Sequence, residues 1–223
     1  MISDLEARHA LKYKDYCIEA SGRHNVPVPL LFAIGSRESR WTLALTPSGD
    51  PGGTGDFTPR PGHSMGEMPP DGRGWGRGIM QIDYAAHVFA QSGPWMNPRR
   101  NILYASRVFD GYRTRMKQLL DEDHPLFYNA VIAAYNAGPG RPARAARQGR
   151  HPDSTTTGGD YSEYVLDLKA RMDEFIDKCD WEDRCSDDII SKVKAIEPAP
   201  LQALVSTLPS LNGGITLSQN SLL

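Results

Sequence analysis

The chain has 223 residues, of which 39% are hydrophobic and 23% are charged, a balance that excludes an intrinsically disordered protein. The 25 lysines and arginines and 27 aspartates and glutamates give a net charge of −2, which argues against a basic nucleic-acid-binding protein. No apolar run is long enough to span a bilayer, and the polar start MISDLE is unlike a secretory leader, so the cellular location stays open.

The first part of the chain predicts two helices. The first helix is predicted over residues 3–21, because a capping box begins at Ser3 and Gly22 follows as a helix end. Pro29 suits the first turn of the second helix, where its missing N–H costs nothing. Glu38 lies one turn beyond the apolar part of this helix, towards its buried side.

Residues 46–76 predict a long surface loop. Nine of these 31 residues are glycine and six are proline, which disfavours both a helix and a central strand. Loops of this length within a compact domain usually carry function or are disordered. The short apolar run Gly78–Asp83 follows, and it is compatible with either a strand or the start of a helix.

The second half predicts three further helices. Asn97 caps a long one, another covers about residues 125–137 and stops at Gly138, and Asp160 caps the last. We therefore expect a domain over residues 1–188, followed by a tail or linker over residues 189–223.

Four arginines follow one another without an intervening acid: Arg141, Arg144, Arg147 and Arg150. They form either a solvated face or a binding site for an anionic polymer.

The chain has three cysteines and six histidines as possible disulfide partners or metal ligands. Cys179 and Cys185 are close enough in sequence to pair locally, leaving Cys17, but three inert thiols explain the pattern equally well. The six histidines form no metal-ligand spacing with the cysteines. We expect no metal and no cofactor.

Glu38 is the first candidate for chemistry. A carboxyl group on an otherwise apolar helix is partly desolvated, which raises its pKa and lets it act as a general acid. The alternative is an ordinary ion pair with Arg37 or Arg40. Asp71 and Asp83 flank a glycine-rich turn, and taken alone they are a turn residue and a helix cap.

Together, several segments resemble the goose-type lysozymes, whose wider relatives are the soluble lytic transglycosylases. Three occur in the family's order, and a fourth supports the goose-type branch; they are Ser36–Ser39, Gly78–Asp83, Ala134–Gly140 and Thr155–Ser162. The resemblance covers about residues 3–178. It implies a mainly α (α+β, lysozyme-like) fold, a helical domain with a small β element beside a substrate cleft. It also implies a muramidase that cuts peptidoglycan between N-acetylmuramic acid and N-acetylglucosamine.

The resemblance also assigns roles to residues. Glu38 is implied to be the general acid, and Asp83 and Asp71 to position the hydrolytic water. The stretch between Glu38 and Asp71 is enlarged here, and Asp50 or Asp56 within it could take the role given to Asp71. The cleft-lining positions are Gln81, Tyr135, Asn136 and Tyr161.

An inverting glycosidase needs its acid and base about 6.5–9.5 Å apart so that water fits between them. The resemblance leaves a lytic transglycosylase as the alternative, in which Glu38 acts as acid and then base and no aspartate pair is needed. A non-catalytic peptidoglycan-binding module is the alternative of another class. We expect a monomer that acts on peptidoglycan strands, with an inhibitor or delivery partner left open.

Overall fold

The computed structural model describes residues 4–58, 60, 62 and 67–178, although the side chains of Asp4 and of residues 174–178 are not described. Ser3, Cys179, Cys185 and the predicted tail 189–223 lie outside the described residues. The described part is mainly helical with a two-stranded antiparallel sheet, which confirms the predicted fold class. Its elements are α1 (Asp4–Leu11), α2 (Lys14–His24), α3 (Val28–Ser39), β1 (Gly76–Arg77), β2 (Ile82–Asp83), α4 (Val88–Ser92), α5 (Pro98–Leu119), α6 (Phe127–Ala137), α7 (Gly140–Arg147), a 3-10 helix (Pro152–Thr155) and α8 (Tyr161–Lys178).

The apolar helix α3 runs through the core and packs against α8 and α2. Pro29 lies in its first turn, as predicted. Its end is fixed by Trp41, whose buried indole N–H donates to Phe32 O at 3.2 Å and Ser36 Oγ at 3.1 Å. Gly35 leaves room for this ring, because a Cβ atom there would lie 2.6 Å from it. These contacts set where the last turn of α3, with Glu38, ends.

The prediction of one helix over residues 3–21 is wrong, since the segment forms α1 and α2. The chain breaks at Tyr13, where short i→i+3 bonds replace the helical ladder and the ring stacks on Trp41 with centroids 5.6 Å apart. This tertiary contact overrides local helix propensity. Gly22 is inside α2, which ends at Asn25 in the left-handed conformation with φ 50°.

Two of the predicted helix boundaries in the second half are confirmed. Asn97 caps α5 by accepting from the backbone N–H of Arg100 at 3.0 Å, and α6 ends at Gly138, with φ 71°. Asp160 was expected to cap α8, but the side-chain cap comes from Asp153 in the preceding 3-10 helix. Its buried carboxylate accepts from the backbone N–H of Ser162 at 2.8 Å and of Glu163 at 3.1 Å. The long-range cap explains why sequence spacing pointed to the wrong aspartate.

The apolar run after the loop forms a hairpin. Gly76 pairs with Asp83, and Arg77 pairs with Ile82. Asn101 of α5 holds the turn between the strands, because its Oδ1 accepts from Met80 N at 2.9 Å and its Nδ2 donates to Arg77 O at 3.0 Å. The β element is thereby fixed against a long helix.

The described residues of 46–75 contain no helix and no strand beyond one β-bridge between Thr46 and Thr54. The loop is not simply a surface feature, because it folds onto itself at Gly74. A Cβ atom at Gly74, whose φ is 80°, would lie 2.0 Å from Gly55 O. Trp75 is then buried at the start of the hairpin.

Candidate active site

The carboxyl group of Glu38, on the last turn of α3, is the centre of the candidate site. The Tyr161 hydroxyl donates a hydrogen bond to Glu38 Oε1. Burial raises the pKa of Glu38 to about 7, against the opposing effects of the Tyr161 hydrogen bond and the Arg37 charge. The group is therefore partly protonated near neutral pH, as a general acid requires.

The ion-pair alternative for Glu38 is not what the structure shows. Arg37 Nη2 lies 2.7 Å from Asp160 Oδ1, and its guanidinium carbon lies 4.6 Å from the ring centroid of Tyr164. Arg40 Nε lies 3.2 Å from Glu6 Oε2. Both neighbouring arginines thus pair with other carboxylates, and Glu38 is held by a neutral hydroxyl instead.

Two tyrosines of the candidate site come from α6 and α8. Tyr161 begins α8 and is 2% exposed. Tyr135 lies near the end of α6, and its hydroxyl donates to Met80 O at 2.9 Å. Burial, and next the charge of Glu38, raise the pKa of both phenols well above the ordinary value. Both therefore remain protonated donors, and Tyr135 ties α6 to the hairpin turn.

Asp83 lies in β2, where Arg60 of the long loop links it to Asp56. Arg60 Nε lies 2.6 Å from Asp83 Oδ2, and Arg60 Nη2 donates to Asp56 Oδ2. Asp83 Oδ1 accepts from the backbone N–H groups of Ala85 at 2.8 Å and Ala86 at 3.0 Å. Asp83 therefore also serves as a turn residue, although it caps the turn after β2 rather than a helix.

The other two aspartates have local partners. Asp71 Oδ1 lies 2.7 Å from Nη2 of Arg77, whose side chain is 1% exposed. Asp50 Oδ1 accepts from Gly52 N at 2.8 Å within a turn. The charges that act on Glu38 include that of Asp56. The structure thus brings Asp56 and Asp83 together through Arg60, whereas Asp71 pairs with the buried guanidinium of Arg77.

The remaining cleft candidates shape the site through backbone contacts. Gln81 has φ 46°, and its Nε2 donates to Gly78 O at 2.8 Å. A Cβ atom at Gly76 would lie 2.1 Å from Gln81 Oε1, so this packing requires glycine there. Asn136 is exposed, and its Oδ1 accepts from Thr157 N at 2.9 Å, which anchors the segment before α8.

Sequence reasoning missed Arg60. A lone arginine in a glycine- and proline-rich loop gives no signal by spacing, because Asp83, which it joins to the nearby Asp56, lies 23 residues away in sequence.

Among the described residues, no group of three or more histidines, cysteines, aspartates and glutamates could hold a metal ion. None of the helices in the described ranges is long and apolar enough to cross a membrane.

Cys17 is a buried free thiol. The arginines of the run at 141–150 are exposed, so their binding of an anionic polymer stays a prediction.

Residues 15–156 match the family described as Transglycosylase SLT domain, which covers more than half of the chain. The match lies within the lysozyme-like superfamily and does not separate the goose-type branch from the lytic transglycosylases. No curated protein matches the chain.

Proposed function

Because the chain belongs to the Transglycosylase SLT domain family, we propose that it cleaves the glycan strands of peptidoglycan as a goose-type muramidase. The bond would be the β-1,4 linkage between N-acetylmuramic acid and N-acetylglucosamine. The observation that supports this most is Glu38, a carboxyl group with a pKa of about 7 that a buried tyrosine holds in place.

The acid step uses Glu38 directly. Its proton passes to the glycosidic oxygen while the bond from that oxygen to C1 of the muramic acid breaks, leaving an oxocarbenium-like centre. The Tyr161 hydroxyl then stabilises the carboxylate that remains, because a hydrogen bond to a charged acceptor is stronger than one to a neutral acceptor. Glu38 is reprotonated from solvent after the products leave.

The hydrolytic step needs a carboxylate that orients water on the opposite face of the sugar. Asp56 and Asp83 supply two, and the charge of Asp56 acts on Glu38. The water oxygen would bond to C1 while a proton passes to one of these carboxylates, which inverts the anomeric centre. The role that the resemblance gives to Asp71 stays a prediction, although the pairing with Arg77 favours Asp56 in that role.

Lytic transglycosylation is the second candidate, and the match of residues 15–156 to the family described as Transglycosylase SLT domain favours it. The 6-hydroxyl of the muramic acid would then bond to C1, its proton would pass to the Glu38 carboxylate, and the product would be a 1,6-anhydro sugar.

The test is the clearing of a peptidoglycan suspension, with products identified by mass spectrometry. We expect Glu38→Gln to lower the rate by about 100-fold or more, since a positioned general acid contributes about that much. Glu122→Gln is the matched control, because Glu122 is an exposed carboxylate that pairs with Lys117. Asp83→Asn should lower turnover, whereas Glu122→Gln should behave like the parent.

The products separate the candidate functions. Reducing muramic ends support the muramidase, whereas a water-sized mass deficit on every muramic end refutes hydrolysis and supports transglycosylation. Binding to peptidoglycan without cleavage by the parent would instead indicate a non-catalytic binding module.

A further inference from the structure

Arg60 is the group in the candidate site that neither the sequence pattern nor the family match assigns. Each part of its guanidinium has a partner: Nε binds Asp83 Oδ2, Nη2 binds Asp56 Oδ2 and Nη1 donates to Thr58 O at 3.2 Å. Its side chain is 22% exposed, and those of Asp56 and Asp83 are 31% and 30% exposed. The three charges therefore form a partly buried network that joins the long loop to β2.

We propose that Arg60 is a positioning residue that sets the specificity of the reaction, because it holds Asp56 and Asp83 together and thereby favours attack by water over attack by the sugar hydroxyl. This inference rests on the proposed muramidase function. Arg60 would act through the two aspartates and would not contact the reacting atoms.

The reason is electrostatic. Two carboxylates that approach each other without a cation repel, and one of them takes up a proton. Arg60 offsets this repulsion, because its guanidinium binds an oxygen of each carboxylate. A planar guanidinium with two oriented donors also fixes the direction of both carboxylates, which a lysine ammonium cannot do.

The network leaves an acceptor available for water. Asp83 Oδ1 is held by two backbone N–H groups, so Asp83 mainly anchors the network to β2. Asp56 Oδ1 accepts a long bond of 3.4 Å from Thr58 N, and no shorter bond to it is found within the described residues. Asp56 is therefore the carboxylate with the most capacity to accept a hydrogen bond from water.

Arg60 also acts on Glu38. Within the part of the chain that the structure describes, the titratable and charged groups that face Glu38 are Arg37 on its own helix, Tyr161 of α8, Tyr135 of α6, and Asp56 and Arg60 of the loop. Arg60 lowers the pKa of Glu38, and Asp56 raises it. Loss of the Arg60 charge should therefore keep Glu38 protonated to higher pH. A merely structural role for Arg60 would not move this titration.

The experiment compares Arg60→Gln, Arg60→Lys and the control Arg73→Gln on peptidoglycan, each checked for folding by circular dichroism and thermal unfolding. Arg73 lies in the same loop, donates to Gly52 O at 3.2 Å and contacts the ring of Trp95, so it tests the loop without the aspartates. The measurements are the hydrolytic kcat/KM, the share of 1,6-anhydro products and the pH at which activity falls on the alkaline side.

We expect Arg60→Gln to lower hydrolysis by about 10- to 100-fold, the usual effect of a misplaced catalytic group. A larger share of its products should be 1,6-anhydro sugars, and the pH at which its activity falls on the alkaline side should be higher. Arg60→Lys should restore the alkaline limb but only part of the rate, and Arg73→Gln should match the parent.

A folded Arg60→Gln protein with the parent's rate, product ratio and alkaline limb would overturn the inference about Arg60. This result differs from a failure of the muramidase proposal, in which the parent itself would give only anhydro ends. A parent that cleaves no glycan would overturn both.

Discussion

The raised pKa of Glu38 predicts that this candidate catalytic carboxyl makes the protein less stable at alkaline pH. In the folded chain this pKa is about 7, against an ordinary value of 4.5 that we take for the unfolded chain. Between these values the native state binds more protons than the unfolded state, so stability falls as pH rises from 4.5 to about 7. Above pH 7 the penalty is complete.

Glu38→Gln removes this penalty with little change of shape, since the amide oxygen can still accept from the Tyr161 hydroxyl. The difference between 4.5 and about 7 corresponds to at most about 3 kcal/mol. Because Glu38 is only partly buried, water screens part of this, and we expect the variant to gain about 2 kcal/mol at pH 9 relative to pH 4.

Urea unfolding of the parent and of Glu38→Gln at pH 4 and pH 9 measures this difference, and most other titrations cancel between the two proteins. Glu122→Gln, which removes an exposed carboxylate, should show no such pH-dependent gain. The reasoning is refuted if the difference in unfolding free energy between parent and Glu38→Gln is the same at both pH values.

Three further predictions concern the surroundings of Glu38. Tyr161→Phe removes a hydrogen bond that lowers the pKa of Glu38. The pH at which kcat/KM falls on the alkaline side should therefore be higher, and kcat/KM itself should fall about tenfold. An unchanged pH profile would contradict this. Asp153→Ala should lower the free energy of unfolding, measured with urea, by about 2 kcal/mol or more, because it uncaps α8 and leaves the buried N–H of Ser162 unpaired. Asp71→Asn weakens the pairing of the buried Arg77, so the free energy of unfolding should fall by about 1–2 kcal/mol. Turnover should stay within about threefold of the parent. Lost turnover at normal stability would instead support a water-positioning role for Asp71.

Local chemistry was enough to predict much of the fold. The helix starts at Pro29 and Asn97 and the helix end at Gly138 follow from residues that act on their immediate neighbours, which is why sequence predicts them. The position of Glu38 beyond an apolar helix face likewise indicated a desolvated acid, and the raised pKa agrees with it.

The tertiary structure decided the features that depend on distant partners. The break at Tyr13 follows from stacking on Trp41, and the cap of α8 comes from Asp153 rather than from Asp160. The pairing of Asp56 with Asp83 depends on Arg60, which binds an oxygen of each carboxylate in the folded chain. Sequence order fixes only which residues are neighbours along the chain, and the long loop brings together charges that no local pattern connects.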